Sequence, residues 1–181
     1  MSAYHVVTGD LLDQEVDVIV NAWNRNVLPW WLLLPRGVSG AIMRRGGRAP
    51  FRELARAGVI PLGGAVLTTA GRLPFRAIIH VASINLVWIA TRDSVCRSVR
   101  SALDLAVREK FGSIALPLLG GGTGGLDEQE VLSLFHGEIS AHRYRGRIVV
   151  VQYPVRAFSI GRATSVRPAA DEPIHPDFVR V

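Results

Sequence analysis

Short apolar, β-branched runs alternate along this chain with segments of helical periodicity, and that alternation leaves few folds open. Strands are predicted at Tyr4–Val7, Val16–Asn21, Ala65–Thr69, Ala77–Val81, Ser113–Leu118 and Arg147–Tyr153. Several of them, Ile114-Ala115-Leu116 among them, are apolar at successive positions rather than at alternate ones. A sheet with one wet face has no use for such runs, so helices are expected over both faces. The segment from Asp93 to Lys110 places Val95, Val99, Ala102 and Ala106 on one stripe. A second helix, Glu128 to Ala141, would bury Val131, Leu132, Phe135 and Ile139, and Asp127 with Glu130 has the spacing of a capping box at its start. Shorter helices are predicted at Ser39–Arg45 and Pro50–Ala57. The expected class is α/β.

With 181 residues, of which 49% are hydrophobic, the chain is long enough for one domain with a substantial core. Apolar content does not make it a membrane protein. Its longest apolar run, Val27 to Leu34, is interrupted by Pro29 and falls far short of the roughly eighteen residues a span requires. The first residues lack a basic segment followed by an apolar one, so no secretory signal is read, and the lone cysteine points to a reducing cytoplasm as the expected location. A single cysteine, Cys96, rules out an internal disulfide and a cysteine-based metal cluster, and the five histidines show no metal-ligand spacing. No metal and no cofactor are expected. His80, inside an apolar strand, has the setting of a satisfied core histidine rather than a catalyst; His5 also sits in a strand. After Pro154 the periodicity stops. Residues 1–155 are therefore taken as the domain and 156–181 as a tail, loose or laid over its surface.

The net charge of +6 raises the possibility of an anionic partner. Lys110 is the only lysine among 21 basic residues, a skew that points to coding bias more than to a binding surface. The arginines are scattered, with short clusters only at Arg44-Arg45-Arg48 and Arg143-Arg145-Arg147. A dedicated nucleic-acid-binding role is not the expectation, though composition leaves it open.

Function is most visible at Gly120-Gly121-Gly122-Thr123-Gly124-Gly125, which separates an apolar strand from a helix. Five glycines in six residues remove side-chain bulk between backbone and ligand and permit positive φ at little cost. The N–H groups of such a loop can converge on a phosphate beside a helix start. Three further segments offer candidate ligand contacts. Gly9-Asp10-Leu11 ends the first strand, where Asp10 can accept from an exocyclic amine or cap a turn. Val20-Asn21-Ala22-Trp23-Asn24 carries a buried strand into asparagines, and Asn24 offers a donor and an acceptor suited to ribose hydroxyls. Gly37-Val38-Ser39-Gly40 opens a helix, with Ser39 a possible N-cap. Two glycine loops at helix starts could hold a pyrophosphate from both sides.

In order and spacing these segments, together with Gly63-Gly64-Ala65-Val66, Thr68, Leu73-Pro74 and Ile78-Ile79-His80-Val81, resemble a macrodomain over about residues 4 to 153. The resemblance implies a three-layer α/β/α sandwich with a mixed six-stranded sheet and the binding of ADP-ribose. Many members also hydrolyse ADP-ribosyl linkages or deacetylate O-acetyl-ADP-ribose. The implied partners are ADP-ribose, or a protein or nucleic acid that carries it. By position, Asp10 would hold the adenine amine and Asn24 the distal ribose, with Leu11 also among the substrate-binding residues. Gly37, Val38 and Ser39 would form the first phosphate loop, and Gly121, Gly122, Thr123, Gly124 and Gly125 the second. Leu126 would border the site where other members often carry a bulky residue.

The departures bear on catalysis. Where one hydrolase branch carries a first-loop aspartate, this chain has Ser39, which is no base unaided. Another branch uses a lysine, and Lys110 lies near the end of a helix, away from both loops. Asp127 is the nearest remaining carboxylate and, with Asn24, the candidate catalytic pair; its alternative role is to cap its own helix. The segment Val27 to Arg36, with Trp30 and Trp31, replaces a shorter glycine-rich run and suits either a packed flap or a hydrophobic lid. The run Gly120-x-Gly122-x-x-Gly125 also matches a dinucleotide fingerprint, but it follows the fifth strand rather than the first, and no acid stands from Arg143 to Gln152.

Overall fold

The computed structural model describes residues 4–25, 27, 37–85, 87–121 and 124–153. In chain order it contains β1 (Tyr4–Thr8), a 3-10 turn (Leu11–Asp13), β2 (Val18–Trp23), α1 (Gly37–Gly46), α2 (Ala49–Arg56), β3 (Ala65–Thr68) and β4 (Ala77–Ala82). These are followed by α3 (Arg92–Arg108), β5 (Ser113–Pro117), α4 (Glu128–Ala141) and β6 (Arg147–Gln152). The strands form one six-stranded sheet in the order β1-β6-β5-β2-β4-β3. All neighbours are parallel except β3, which runs antiparallel to β4 at the edge. The expected mixed sheet is thus realised, with helices on both of its faces.

The fully apolar runs are explained by two cores, one on each side of the sheet. Val18 and Val20 of β2, Ile79 and Val81 of β4, and Ile114 and Leu116 of β5 point into one core, which α3 and α4 close. Ile19 and Trp23, Ile78 and Ala82, and Ala115 point into the other, closed by Ile42 of α1 and by Phe51 and Leu54 of α2. Central strands bury both alternating sets, so both sets are apolar. Edge strand β1 departs from this, with His5 exposed and Val6 43% exposed.

Packing of α3 on α4 follows the stripes read from sequence: Val95, Val99, Ala102, Ala106, Val131, Phe135 and Ile139 are all buried, and Leu132 is partly so. Arg92–Glu130, Arg100–Glu138 and Asp104–His142 join the two helices at one constant sequence offset. A constant offset means the helices run parallel, as two successive crossovers between parallel strands require.

Boundaries moved by a few residues. β2 begins at Val18 rather than Val16, because Asp17 is committed outside the ladder. Its carboxylate accepts from Gly112 N at 2.6 Å and Ser113 N at 3.2 Å, and its carbonyl accepts from Arg76 N at 2.8 Å. Pairing with β4 then carries β2 through to Trp23, opposite Ala82. The capping box before α4 is only half made: Asp127 accepts from Gln129 N and Glu130 N, whereas the Glu130 carboxylate is paired with Arg92 of α3. A complete capping box instead starts α3, between Thr91 and Ser94.

Candidate functional site

Five strands are parallel, so the segments that leave their carboxyl ends share one edge of the sheet. Gly9–Asp13 leaves β1, Asn24 follows β2, Ser83–Ala90 leaves β4 and the glycine loop leaves β5. β2 and β5 are neighbours, yet the chain from β2 proceeds toward β4 and β3 while the chain from β5 proceeds to β6. Connections that diverge from adjacent strands open a crevice between them, and ligands of open α/β sheets bind there. The two glycine loops flank this switch point.

Asp10 sits at the start of the 3-10 turn, and its Oδ1 accepts from Leu12 N at 2.8 Å. Arg45 of α1 approaches Asp10 Oδ2 at 3.5 Å and grips Asp13 at 2.9 Å. One guanidinium therefore ties the loop after β1 to the helix that starts at the first glycine loop. In the sequence, the only signal of Arg45 is its place in a basic cluster. Asp10 keeps unused lone pairs and a side chain that is 38% exposed, so it can still accept from a ligand. Leu11 is buried beneath it.

Behind the first loop runs a directed chain of hydrogen bonds. The Ser39 hydroxyl donates to Asn21 Oδ1 at 2.8 Å, and Asn21 Nδ2 donates to His80 Nδ1 at 3.0 Å. His80 Nε2 then meets Thr68 Oγ1 at 2.8 Å, and the Thr68 hydroxyl donates to the carbonyl of Thr69 at 3.0 Å. Since Nδ1 accepts and Thr68 spends its proton on Thr69, the imidazole carries its hydrogen on Nε2. Asn21 and His80 are wholly buried, Thr68 and Ser39 nearly so. Burial pushes the His80 pKa down to about 3, so the ring stays neutral. Phe51 of α2 packs edge-on against it, with ring centroids 6.0 Å apart.

This chain corrects one expectation and sharpens another. Ser39 is not an N-cap; it is the third residue of α1, and its hydroxyl points inward. Only its backbone is left for the crevice. His80 is the satisfied core histidine foreseen, but its satisfaction runs through Asn21, to which the sequence had given no role. The missed signal was an amide in an apolar strand, on the same face as Ile19 and Trp23.

The second loop is shaped by close backbone approach. Gly120 and Gly125 hold φ of +86° and +79°. A Cβ on Gly124 would lie 2.6 Å from Ala90 Cβ and 2.7 Å from Gly120 O, so no side chain fits there. Leu126 N donates to Gly120 O at 3.0 Å, and Ala90 N donates to Gly124 O at 3.2 Å. The loop is thereby closed on itself and pinned to the segment after β4. Gly121 is half-buried; Gly122 and Thr123 lie outside the described residues, as do residues 28–36 with Trp30 and Trp31, and the tail from residue 154. Leu126 packs on the core beneath the loop.

Two candidates remain. Asn24 stands one residue past β2, half-buried at the crevice. Asp127 is exposed, with Oδ1 accepting from Gln129 N at 3.0 Å and Glu130 N at 3.2 Å, so its geometry is that of a helix cap. Lys110 follows α3 and lies at the opposite edge of the sheet, just before β5 begins. Among the described residues no group of His, Cys, Asp and Glu could hold a metal ion, and no helix is long and apolar enough to cross a membrane.

Comparison with known proteins points the same way. The Macro domain family model matches residues 20–135. An O-acetyl-ADP-ribose deacetylase of Klebsiella pneumoniae (strain 342) is 35% identical over 137 residues, covering 71% of this chain and 74% of its own length. The Oceanobacillus iheyensis macrodomain solved with ADP is similar at a TM-score of 0.71 and 26% identity, over 83% of each chain. The Trypanosoma brucei macrodomain in complex with ADP-ribose gives a TM-score of 0.68 at 26% identity, over 82% of this chain and 63% of that one.

Proposed function

The chain belongs to the Macro domain family, and from that premise we propose that it binds ADP-ribose in the crevice and hydrolyses an ADP-ribosyl linkage there. The observation that carries the binding is the convergence of two backbone-lined loops on the β2–β5 switch point. Asp10 accepts from the adenine amine, with Leu11 beside it, and is held in place by Arg45. The pyrophosphate lies between the backbone of Gly37, Val38 and Ser39 and that of Gly121 to Gly125. The first of these is the N-terminal turn of a ten-residue helix, whose unpaired N–H groups and dipole favour an anion. Asn24 takes the distal ribose, and Leu126 borders it.

Hydrolysis adds water to the carbon bearing the linkage, breaks the bond to the acceptor and delivers a proton to it. The inward hydroxyl of Ser39 leaves no base in the first loop, and Asp127 spends one oxygen on its helix. A water positioned by the substrate's own phosphate and by Asn24 supplies attack without a protein carboxylate, since placement alone removes much of a barrier. The alternative is a base supplied by the protein, and there the second oxygen of Asp127 is the candidate. In this reading residues 1–155 form the ADP-ribose-binding domain and 156–181 a tail. A non-catalytic reader is the second reading, favoured by that same inward turn of Ser39.

Calorimetry tests binding: ADP-ribose is expected to bind at least tenfold tighter than AMP or NAD, and equal affinity for the three would sink the proposal. A panel of ADP-ribosylated protein, ADP-ribosylated nucleic acid and O-acetyl-ADP-ribose separates the two readings. Turnover lost in Asn24→Ala supports the enzyme; tight binding with no turnover on any substrate makes the protein a reader.

A further inference from the structure

The helix α1 begins at the crevice and ends, ten residues and about 15 Å away, at the opposite edge of the sheet. There, where α1 turns into α2 beside the β3–β4 connection, lies a cavity of about 500 Å³ lined by Met43, Arg44, Gly47, Arg48 and Arg72. Three of its five lining residues carry guanidinium groups. None of the three makes an ion pair or a side-chain hydrogen bond among the described residues. Six other arginines, Arg45, Arg76, Arg92, Arg97, Arg100 and Arg108, each meet a carboxylate.

We propose that this cavity is a second anion site that holds backbone phosphates of a nucleic-acid strand. Guanidinium is charged at every physiological pH and its fork of N–H donors matches phosphate oxygens two at a time. Three such groups around one cavity repel one another until an anion enters. The backbone is fitted to them. Gly47 turns the chain at φ +86°, and a Cβ there would come within 2.8 Å of Arg72 Nη1. Glycine thus lets the Arg72 guanidinium lie directly over the turn. Two of the carbonyls in the last turn of α1 are engaged, Met43 O by Gly47 N and Gly46 O by Arg72 N, each at 3.0 Å.

A single small phosphate would need only the cavity, but the row of positive charge continues past it. Arg52 and Arg56 follow Arg48 at intervals of four along α2, exposed and without a carboxylate partner among the described residues. Groups four apart on a helix are neighbours. The one acid of α2, Glu53, is held elsewhere, accepting from Thr69 N at 2.7 Å and Thr69 Oγ1 at 2.6 Å. A line of unpaired guanidiniums fits a ligand whose charge repeats, and Met43, the only apolar lining side chain, leaves no apolar face for a lipid surface. The site stands apart from the crevice, and its occupancy does not depend on what the crevice binds.

Fluorescence anisotropy with a labelled 20-nucleotide single strand, and with its duplex, tests this on the full chain. The triple variant Arg44→Ala/Arg48→Ala/Arg72→Ala is expected to bind at least tenfold more weakly. The slope of log affinity against log salt should fall by about 2, since each phosphate contact on a single strand contributes roughly 0.7. Arg→Lys at the same three positions keeps the charge but not the fork, and should recover only part of the affinity. Melting temperature and calorimetric titration with ADP-ribose should be unchanged in both variants, and saturating ADP-ribose should not displace the strand. Equal binding by the wild type and the alanine variant overturns the proposal. So does binding of inorganic phosphate with none of either oligonucleotide, or tighter binding of a phosphopeptide of equal charge.

Discussion

His80 gives the sharpest test of how the site is built. Its pKa is near 3 in the folded chain against 6.5 for an ordinary imidazole, because burial penalises the charged ring. Lowering the pH below 6.5 therefore protonates the unfolded chain first. A group whose folded pKa is depressed contributes stability that is fully present above its unfolded value and lost as pH falls toward the folded one. Each pH unit of that window is worth about 1.4 kcal/mol, so acidification from 6.5 to 4 removes about 3 kcal/mol on account of this ring alone. That is a large share of the roughly 5–15 kcal/mol by which domains are stable.

Urea unfolding at pH 7, 5.5 and 4 measures this loss, with His80→Asn as the reference, because that variant removes the titration and keeps a polar partner in place. The variant is expected to be weaker at pH 7, through the cavity and the lost bonds, yet to lose stability more slowly on acidification. Subtraction cancels the carboxylates common to both proteins. Parallel pH dependences below 6.5 would refute the assignment. A functional consequence follows from the direction of the hydrogen bonds: a proton on Nδ1 sets donor against the Asn21 Nδ2 donor and removes the anchor of Ser39. Affinity for ADP-ribose should fall over the same acid range in which the folded ring titrates.

Gly124→Ala forces a Cβ to within 2.6 Å of Ala90 and should cost about 1–3 kcal/mol in chemical denaturation, while loosening the second loop and weakening ADP-ribose at least tenfold by calorimetry. Unchanged affinity would mean that the loop does not hold the phosphates. Tyr144→Phe removes the bond from its buried hydroxyl to the Phe111 carbonyl, 3.0 Å long, and should cost about 1 kcal/mol. Burial pushes the Tyr144 pKa up to about 12, so its contribution is present below the ordinary value of 10 and lost as pH rises toward 12; an alkaline melt of the wild type should show that loss and the variant should lack it.

Much of this architecture was legible in the linear chain because it follows from local patterns. Continuous apolar runs such as Val18-Ile19-Val20 announce strands covered on both faces, and the Val95, Val99, Ala102, Ala106 stripe announces the face α3 buries. The Gly120 to Gly125 run announces a backbone-lined loop, since only glycine tolerates the positive φ and the approach of Ala90 seen there. These properties belong to single segments, so a sequence can state them. Pairings across the fold are another matter. That Asn21 links Ser39 to His80, that Arg45 spends its charge on Asp10 and Asp13, and that Glu130 answers Arg92 instead of its own helix depends on elements that meet only after the sheet has ordered its strands. The same holds for Arg44, Arg48 and Arg72: one is 28 residues from the first, and only the return of the chain before β4 brings it to their cavity. Sequence determined which segments are candidates for chemistry; tertiary structure decided which of their polar groups are spent on one another and which are left for a ligand, because a hydrogen bond or an ion pair goes to the nearest partner in space.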